Sequence, residues 1–498
     1  MVRPEAVTDQ LNEHMNTNPF SFCRLLLTLI FSLIRLDVAL CQPAGREYTY
    51  IDAANEKASA GDFKGAIPLF TKAAEINPKN IFPLIGRGFA KMKLKDLEGA
   101  LKDCQSALRI DPNDKGAISL RGIVYTYMDR FDEALADINR CLAMDPNEPY
   151  NYDCRGMTKW FMNDNQGALE DFSTAIRLDP NYHESYIHRG NLKAELGDYG
   201  GAVADLTKHI ELKPGNISAY DRRGEFRMKT EDFAGAIADF SKFMEKHPDD
   251  ELVIVKLARA KIKVKDYSGA VADLTTAINL GNDHPYVLQL RADSKAETGD
   301  IDGAMNDYAA GLAQDPNNST IFLHRGNLKA NNDDLTGALA DYDKAVSLDP
   351  DEDSYLYNRG TARFETGNYA GALADFTKLI SLVPDEAEGY YRRGLCKSEL
   401  GDHKAAADDF TLAIKIDPLF TNAIGYRGYV RVKLGDLKNA MADFNRVIEI
   451  DPTDYRALLH RGIAREKSGD LTGACSDWKK ARELGEPNSK EFLTSHCR

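Results

Sequence analysis

The chain has 498 residues, of which 43% are apolar and 28% are charged, a composition typical of an ordered soluble protein. Acidic residues outnumber basic ones by 77 to 63, so the net charge is −14 and the surface as a whole repels nucleic acid and anionic lipid. The eight cysteines show no Cys-x-x-Cys spacing, which excludes a zinc signature and a dense disulfide framework.

The first 46 residues differ in composition from the rest. An apolar run from Leu25 to Ile34 lies between Arg24 and Arg35; it is too short to span a bilayer and has the length of the apolar region of a secretory signal. We therefore expect export to the periplasm, the envelope or the medium, with cleavage after Cys41. The alternatives are a cytoplasmic protein with a disordered leader, an uncleaved membrane anchor and, less favoured, a lipoprotein.

An internal repeat organises the remainder. Alanine recurs every 34 residues from Ala66 to Ala474, and proline keeps the same phase from Pro78 onward. Thirteen units of 34 residues run from Glu47 to Asn488 without insertion or deletion, and Glu47 is position 1 of the first unit. Such a period is typical of a solenoid in which each repeat packs on its neighbours.

Each unit has the pattern of two helices. Glycine or alanine at position 8 and alanine at position 20 allow the helices to approach closely, and a large apolar residue such as Phe376 stands at position 24. Asp or Asn at position 16, as in Asp198, can cap the second helix. Proline at position 32 ends it, because its ring and missing N–H cannot continue a helix.

This pattern resembles the tetratricopeptide repeat family, and the terminal "CSDWKKARELG" with its final His-Cys resembles bacterial members. The resemblance covers residues 47–488 and implies an all-α, right-handed α-solenoid of thirteen helix-turn-helix repeats. It also implies a concave groove, lined by the first helices, that binds a protein or peptide segment. Residues 489–498 are expected to form a capping helix in which Phe492 and Leu493 cover the open end.

An arginine at position 7 and an aspartate at position 23 recur in eleven and twelve repeats respectively, for example as Arg359 and Asp375. A residue that is identical in nearly every copy cannot distinguish one place on a ligand from another. Two antiparallel helices bring these positions together, with a basic residue at position 11 beside them. We therefore predict a structural ladder of Arg–Asp pairs; the alternative is a charged stripe that binds ligand.

Positions that vary on the first helices are the candidate binding residues. Repeats two to four carry apolar and aromatic side chains there, which predicts an interaction surface unless they pack inward or are covered by the leader. These candidates are Phe82, Phe89, Tyr127, Tyr150, Met157 and Trp160.

Repeats six and seven carry a basic cluster that could hold an acidic peptide segment or a terminal carboxylate, or that could simply be solvated. Its candidates are Arg222, Lys256, Arg259 and Lys263, and Asn191, Asn327 and Asn358 are candidates for bonding a peptide backbone. Family members that bind chaperone tails use lysine at position 5 of their first repeat. No repeat of this chain has it, which disfavours that ligand.

The sequence contains no phosphate-binding loop, no HExxH and no GxSxG motif, so we expect neither an enzyme nor a cofactor or metal. Cys475 and Cys497 flank the last helices, and in an exported protein they could form a disulfide. The leading interpretation is a non-catalytic scaffold that binds a protein or peptide partner. The alternatives are a targeting or regulatory subunit of an enzyme or envelope-assembly complex, and a self-associating protein.

Overall fold

The structure is a computed structural model that describes residues 45–487 and 489–497. These residues form 27 helices and no strand. The helices belong to two compact units, the first ending at Asp266 and the second beginning at Tyr267. The predicted leader, up to residue 44, lies outside the described residues. Among the helices described, none is both long and apolar enough to cross a membrane.

The first unit contains helices α1 to α13. They are Arg46–Ser59, Phe63–Ile76, Phe82–Lys93, Leu97–Ile110, Lys115–Tyr127, Phe131–Met144, Pro149–Phe161, Asn165–Leu178, His183–Glu195, Tyr199–Leu212, Ile217–Lys229, Phe233–Met244 and Glu251–Lys263. Each helix packs against the next one in the chain, so the unit is an α-solenoid of helix pairs. The odd-numbered helices are the first helices of repeats one to seven.

The second unit contains helices α14 to α27. They are Tyr267–Asn279, Pro285–Glu297, Ile301–Gln314, Ser319–Asn331, Leu335–Leu348, Asp353–Glu365, Tyr369–Leu382, Ala387–Glu399, His403–Ile416, Thr421–Lys433, Leu437–Ile450, Tyr455–Lys467, Leu471–Glu483 and Ser489–His496. Helix α14 is the second helix of repeat seven, and α15 to α26 are the six remaining repeats. The last helix, α27, packs on α26.

The turn between the two helices of each repeat contains a left-handed residue at position 15 and, next to it, the residue that can cap the second helix. Position 15 adopts a left-handed backbone in all thirteen repeats, as at Gly197 (φ 85°) and Gly367 (φ 78°), which glycine adopts without strain. The next residue then caps the second helix: Asp198 accepts a hydrogen bond from the Gly201 N–H, and Asn368 accepts one from Gly371. The predicted caps are confirmed at these positions.

Where position 24 is aromatic, position 8 is usually glycine, with alanine instead in repeats one and eight. A Cβ atom on Gly156 would lie 2.7 Å from the ring of Phe172, and one on Gly224 would lie 2.7 Å from the ring of Phe240. No real Cβ atom tolerates so short a contact. The small residue therefore lets the aromatic ring fill the space between the two helices of a repeat, and both rings are fully buried.

The ladder of Arg–Asp pairs is confirmed within the described residues. In eleven repeats the arginine at position 7 donates two hydrogen bonds to the aspartate at position 23. Arg359 donates from Nε to Asp375 Oδ2 (3.1 Å) and from Nη2 to Oδ1 (2.6 Å). Arg363 donates to the same carboxylate at 3.0 Å. Such bidentate pairing is strong and directional.

The ladder also joins neighbouring repeats. Arg359 forms a third contact, from Nη1 to Asp343 on the second helix of the preceding repeat (3.1 Å). Arg223 reaches Thr207 in the same way, and Arg461 reaches Asn445. One guanidinium group therefore holds three helices together, which explains why the residue recurs in almost every repeat.

The C-terminal helix α27 covers the end of the last repeat. The ring of Phe492 stacks on Trp478 with 5.0 Å between centroids, and Trp478 is fully buried. A disulfide joins Cys475 on α26 to Cys497, with 5.7 Å between their Cα atoms. The apolar end of the second unit is thus closed by a short helix that is covalently attached.

Candidate functional site

The first helices form one continuous face in each unit. First helices of neighbouring repeats contact one another, as α5 does with α7 and α23 with α25, and within the described residues second helices do so to a lesser extent. Side chains at positions 5, 6, 9 and 13 of the first helices therefore meet their counterparts in the adjacent repeat. This first-helix face is where the predicted binding residues lie.

In the first unit, the polar side chains of this face bond to one another. His188 at position 6 lies 3.0 Å from the Asp153 carboxylate of the preceding repeat. Arg222, also at position 6, donates to Asn191 at 3.0 Å. Lys256 continues the series by donating to Asp221 at 2.9 Å. Position 6 is thus a second, less regular series of contacts between repeats.

These contacts correct the prediction of an open basic cluster. Lys256 forms ion pairs with both Asp221 and Glu225 (2.6 Å), which neutralise its charge. Asn191 is buried and accepts the hydrogen bond from Arg222. The other two predicted basic residues lie apart from this network: Arg259 is half-buried and Lys263 is exposed at the end of α13.

The predicted aromatic surface is only partly exposed. Phe89 is 3% exposed and packs edge-on against Phe63 at 6.2 Å, so it belongs to the core and cannot contact a ligand. Phe82 and Tyr150 are partly buried, and Tyr150 packs on the cluster that contains Ile138. The prediction is corrected at Phe89 because the preceding repeat supplies an aromatic ring that covers it.

Three predicted residues that lie at or near the end of α7 are partly buried rather than fully buried. The Trp160 indole N–H donates to Glu195 at 2.7 Å, and Tyr127 contacts Phe161 edge-on at 6.1 Å. Met157 packs partly against Phe172 and Leu192. Their role in ligand binding stays a prediction.

The asparagines on this face in the second unit also have partners. Asn327 accepts a hydrogen bond from the Tyr342 hydroxyl at 2.8 Å. Asn358 donates to the backbone carbonyl of Ser354, one turn earlier on its own helix, at 2.7 Å. A peptide backbone would have to replace these contacts to bond with either side chain.

Sequence reasoning missed a series of aromatic side chains on the first-helix face of repeats eleven to thirteen. The Tyr391 and Tyr426 rings lie 5.8 Å apart, Tyr426 and Tyr429 lie 6.5 Å apart, and Tyr429 and His460 lie 5.4 Å apart. Tyr426 is 42% exposed although its ring is large and apolar. Exposed tyrosines of this kind are enriched in protein interfaces.

The series ends at a cavity of about 220 Å³ between α23 and α25. It is lined by Tyr429, Val432, Lys433, His460, Ile463 and Lys467. The Lys433 ammonium group lies 5.4 Å from the centre of the Tyr429 ring. His460 stacks on Phe444, and its burial lowers its pKa, so the imidazole is neutral at physiological pH.

A signal for this cavity was present in the sequence. Repeats twelve and thirteen both carry lysine at position 13, as Lys433 and Lys467, and Tyr429 precedes the first of them by one helical turn. Repeats eight, ten and eleven have glutamate there. Repeats six and seven share such a lysine pair, as Lys229 and Lys263, so the tyrosine at position 9 is what distinguishes repeat twelve.

Two kinds of side-chain cluster in the described residues bear on a catalytic or metal site: groups of metal-ligating residue types and one Ser-His-Asp cluster. No group of three or more His, Cys, Asp or Glu residues there could hold a metal ion. Ser185, His188 and Asp153 are adjacent, but the serine hydroxyl donates to the carboxylate at 2.6 Å and is fully buried. The carboxylate thus anchors both side chains, and the histidine does not activate the serine.

Comparison with known proteins identifies the family. Sequence profiles described as tetratricopeptide repeat match residues 155–217, 290–353 and 357–419, and a second such profile matches residues 117–148 and 427–454. Together they cover about half of the chain, and the chain belongs to the tetratricopeptide repeat family. A comparison with curated proteins finds no match.

Three solved structures illustrate the similarity. MamA is 28% identical, over 33% of this chain and 96% of its own, with a TM-score of 0.31. YrrB, described as a TPR protein with an unusual peptide-binding site, is 21% identical over 38% of this chain and 97% of its own (TM-score 0.33). The Cut9–Hcn1 hetero-tetramer structure is 12% identical over 95% of this chain and 99% of its own (TM-score 0.38).

Proposed function

We propose that this protein is a non-catalytic scaffold that binds an extended segment of a partner protein along the first-helix face of its second unit. Tetratricopeptide repeats support a role in protein interaction, and the repeat fold is typical of scaffolds without catalytic activity. The observation that carries the proposal is the aromatic series from Tyr391 to His460, which includes the exposed ring of Tyr426 and ends at the cavity.

This region is the better candidate because its side chains are less occupied than those of the first unit. In repeats four to seven the corresponding polar groups bond to one another, as His188 does to Asp153 and Lys256 to Asp221. A ligand there would have to break contacts between repeats. Rigid aromatic rings in repeats eleven to thirteen offer contact area at low cost in conformational entropy.

The test is a selection from a displayed library of random peptides, using the full chain as bait. We expect the enriched peptides to lose binding at least about tenfold in the Tyr426→Ala variant, since truncating a central aromatic anchor typically costs about 2 kcal/mol or more. Leu412→Ala is the matched control, because Leu412 is equally exposed but lies on a second helix. Equal loss in both variants, or none in either, would contradict the proposal.

We also propose that the protein is exported. The disulfide between Cys475 and Cys497 supports this, because disulfides persist in oxidising compartments. N-terminal sequencing of the protein purified from its native source is the test. Cleavage near Cys41 is the expected result, and an intact N-terminus on a cytoplasmic protein with free Cys475 and Cys497 thiols would overturn it.

A further inference from the structure

We propose that the cavity between α23 and α25 binds an anionic side chain, a carboxylate or a phosphate, of the partner segment. The inference rests on the proposed function, and it adds the chemistry that the partner must present. It depends on two lysines whose charges are not neutralised by the protein.

Lys433 and Lys467 are the cations of this site. Both are exposed at the ends of their helices, and in the described part of the chain neither forms an ion pair or a hydrogen bond. The contrast is Lys256 on the same face of the first unit, which is held by Asp221 and Glu225. Among the described residues, no acidic side chain lines the cavity, and the two lysines are the charged groups in its wall.

The other walls of the cavity favour recognition of a side chain rather than of a solvated ion. Val432 and Ile463 are apolar, and Tyr429 presents its ring to the Lys433 ammonium group at 5.4 Å. Partial exclusion of water strengthens a charge-assisted hydrogen bond. The carbon chain of a glutamate or phosphoserine could contact these walls while its anion lies between the lysines.

The groups around His460 keep its imidazole neutral, so this residue does not supply charge to the cavity. The charged groups near its imidazole are Asp454, which caps its helix, Arg456 on the same helix, Glu486 after α26 and Lys433 on α23. Burial is the largest influence and keeps the imidazole uncharged at neutral pH. His460 therefore serves as a neutral wall of the cavity, and the two lysines supply the charge.

The net charge of the protein makes such a site selective. With a charge of −14, most of the surface repels an acidic segment at long range. An anionic side chain would gain favourable contacts only where cations are locally unpaired. The aromatic series then adjoins this point, so a partner segment with an acidic residue next to aromatic ones fits the whole face.

The test measures fluorescence anisotropy with three labelled nonapeptides and the full chain. The first peptide, the acidic one, has three Phe-Glu-Glu triplets. The second, the amide peptide, replaces every Glu of the first by Gln. The third replaces the central Glu pair of the first by two phosphoserines. We expect the acidic peptide to bind at least about tenfold more tightly than the amide peptide, equivalent to about 1.4 kcal/mol. Tighter binding of the third peptide than of the first assigns phosphate as the preferred anion; otherwise carboxylate is assigned.

The variants locate the effect. Lys433→Gln combined with Lys467→Gln should abolish the difference between the acidic and amide peptides. Lys415→Gln with Lys438→Gln is the control, since both of these lysines are exposed on second helices of the same unit. If the two peptides bind equally and neither pair of changes matters, the anion site is refuted while the scaffold proposal stands. If neither peptide binds, the anion site is refuted, and the peptide selection alone decides the scaffold proposal.

Discussion

His188 and His460 occupy the same position in repeats five and thirteen, yet their surroundings differ completely. His188 is buried and lies 3.0 Å from the Asp153 carboxylate of the preceding repeat. His460 faces the Tyr429 ring at 5.4 Å and lines a cavity. His324 in repeat nine resembles the first case, because it lies 3.0 Å from Asp293.

The difference shows that the preceding repeat determines what a first-helix residue does. Where that repeat supplies an aspartate, position 6 becomes a contact between repeats and the surface is closed. Where it supplies a tyrosine, no charge pair forms and space remains. The same histidine is thus part of the scaffold in one region and part of a candidate site in another.

The largest effect is expected from removing an aspartate of the Arg–Asp ladder, which both regions contain. Asp171→Ala and Asp443→Ala each remove the acceptor of two basic side chains, Arg155 and Lys159 in the first case. Removing one partner of a buried ion pair costs on the order of 3–5 kcal/mol. Both variants should therefore be destabilised alike in chemical denaturation, and peptide binding by the Asp171→Ala variant should persist. A stable Asp443→Ala protein would show that the ladder is not structural there.

Asp153→Ala should have the next largest effect. The change leaves His188 and the fully buried Ser185 without their shared acceptor, a loss of about 2–3 kcal/mol. Tyr429→Phe in the corresponding region should change stability by less than about 0.5 kcal/mol. Hydrogen exchange of α9 compared with α25 is the measurement. Equal protection changes in the two helices would remove the distinction between a closed and an open region.

The pH dependence of stability should separate the histidines of repeat five. Burial and the nearby His209 lower the pKa of His183 to about 4, so its contribution is lost as pH falls from about 6.5 through 4. Burial alone would lower the pKa of His188, but the Asp153 carboxylate outweighs it and raises that pKa. The stabilisation from His188 is therefore present in acid and lost as pH rises through its folded pKa.

Because the pKa of His183 is lowered and that of His188 is raised, replacing each histidine should change the pH dependence of stability in opposite directions. Between pH 7 and pH 5, His183→Gln should make the free energy of unfolding less sensitive to acid, by on the order of 1 kcal/mol, and His188→Gln should make it more sensitive. Burial raises the pKa of Glu184 to about 7, and because Glu184 lies 3.3 Å from His183 and also interacts with His188, both variants are compared in a Glu184→Gln background. Parallel curves for the two variants would contradict the assignment.

A small effect on stability is also expected from converting the open region into the closed one. Tyr429→Asp places a carboxylate at position 9, where Asp293 lies beneath His324. Stability should change by less than about 1 kcal/mol, the pKa of His460 should rise, and binding of selected peptides should disappear. NMR titration of the imidazole and fluorescence anisotropy measure both. An unchanged His460 pKa would show that the preceding repeat does not control position 6.

The helices, their caps and the Arg–Asp ladder could be predicted because each is written into every repeat. Arg359 and Asp375 were identifiable as structural from their recurrence alone. The contacts of the first-helix face were harder to predict from the sequence. Each contact joins residues of two adjacent repeats, and the residues at these positions vary from one repeat to the next. Phe89 looked like a ligand contact until Phe63 was found against it, and Lys256 looked free until Asp221 and Glu225 were found beside it.

One crosslinking experiment tests the central claim that a partner segment binds to the first-helix face of repeats eleven to thirteen. The photoreactive residue benzoylphenylalanine would replace Tyr426, Phe161 or Leu412 in separate preparations of the full chain. All three positions are exposed. Tyr426 lies on the proposed face, Phe161 lies on the first-helix face of the first unit, and Leu412 lies on a second helix. A selected peptide should crosslink only from position 426. Crosslinking from position 161 or 412, with none from 426, would contradict the account.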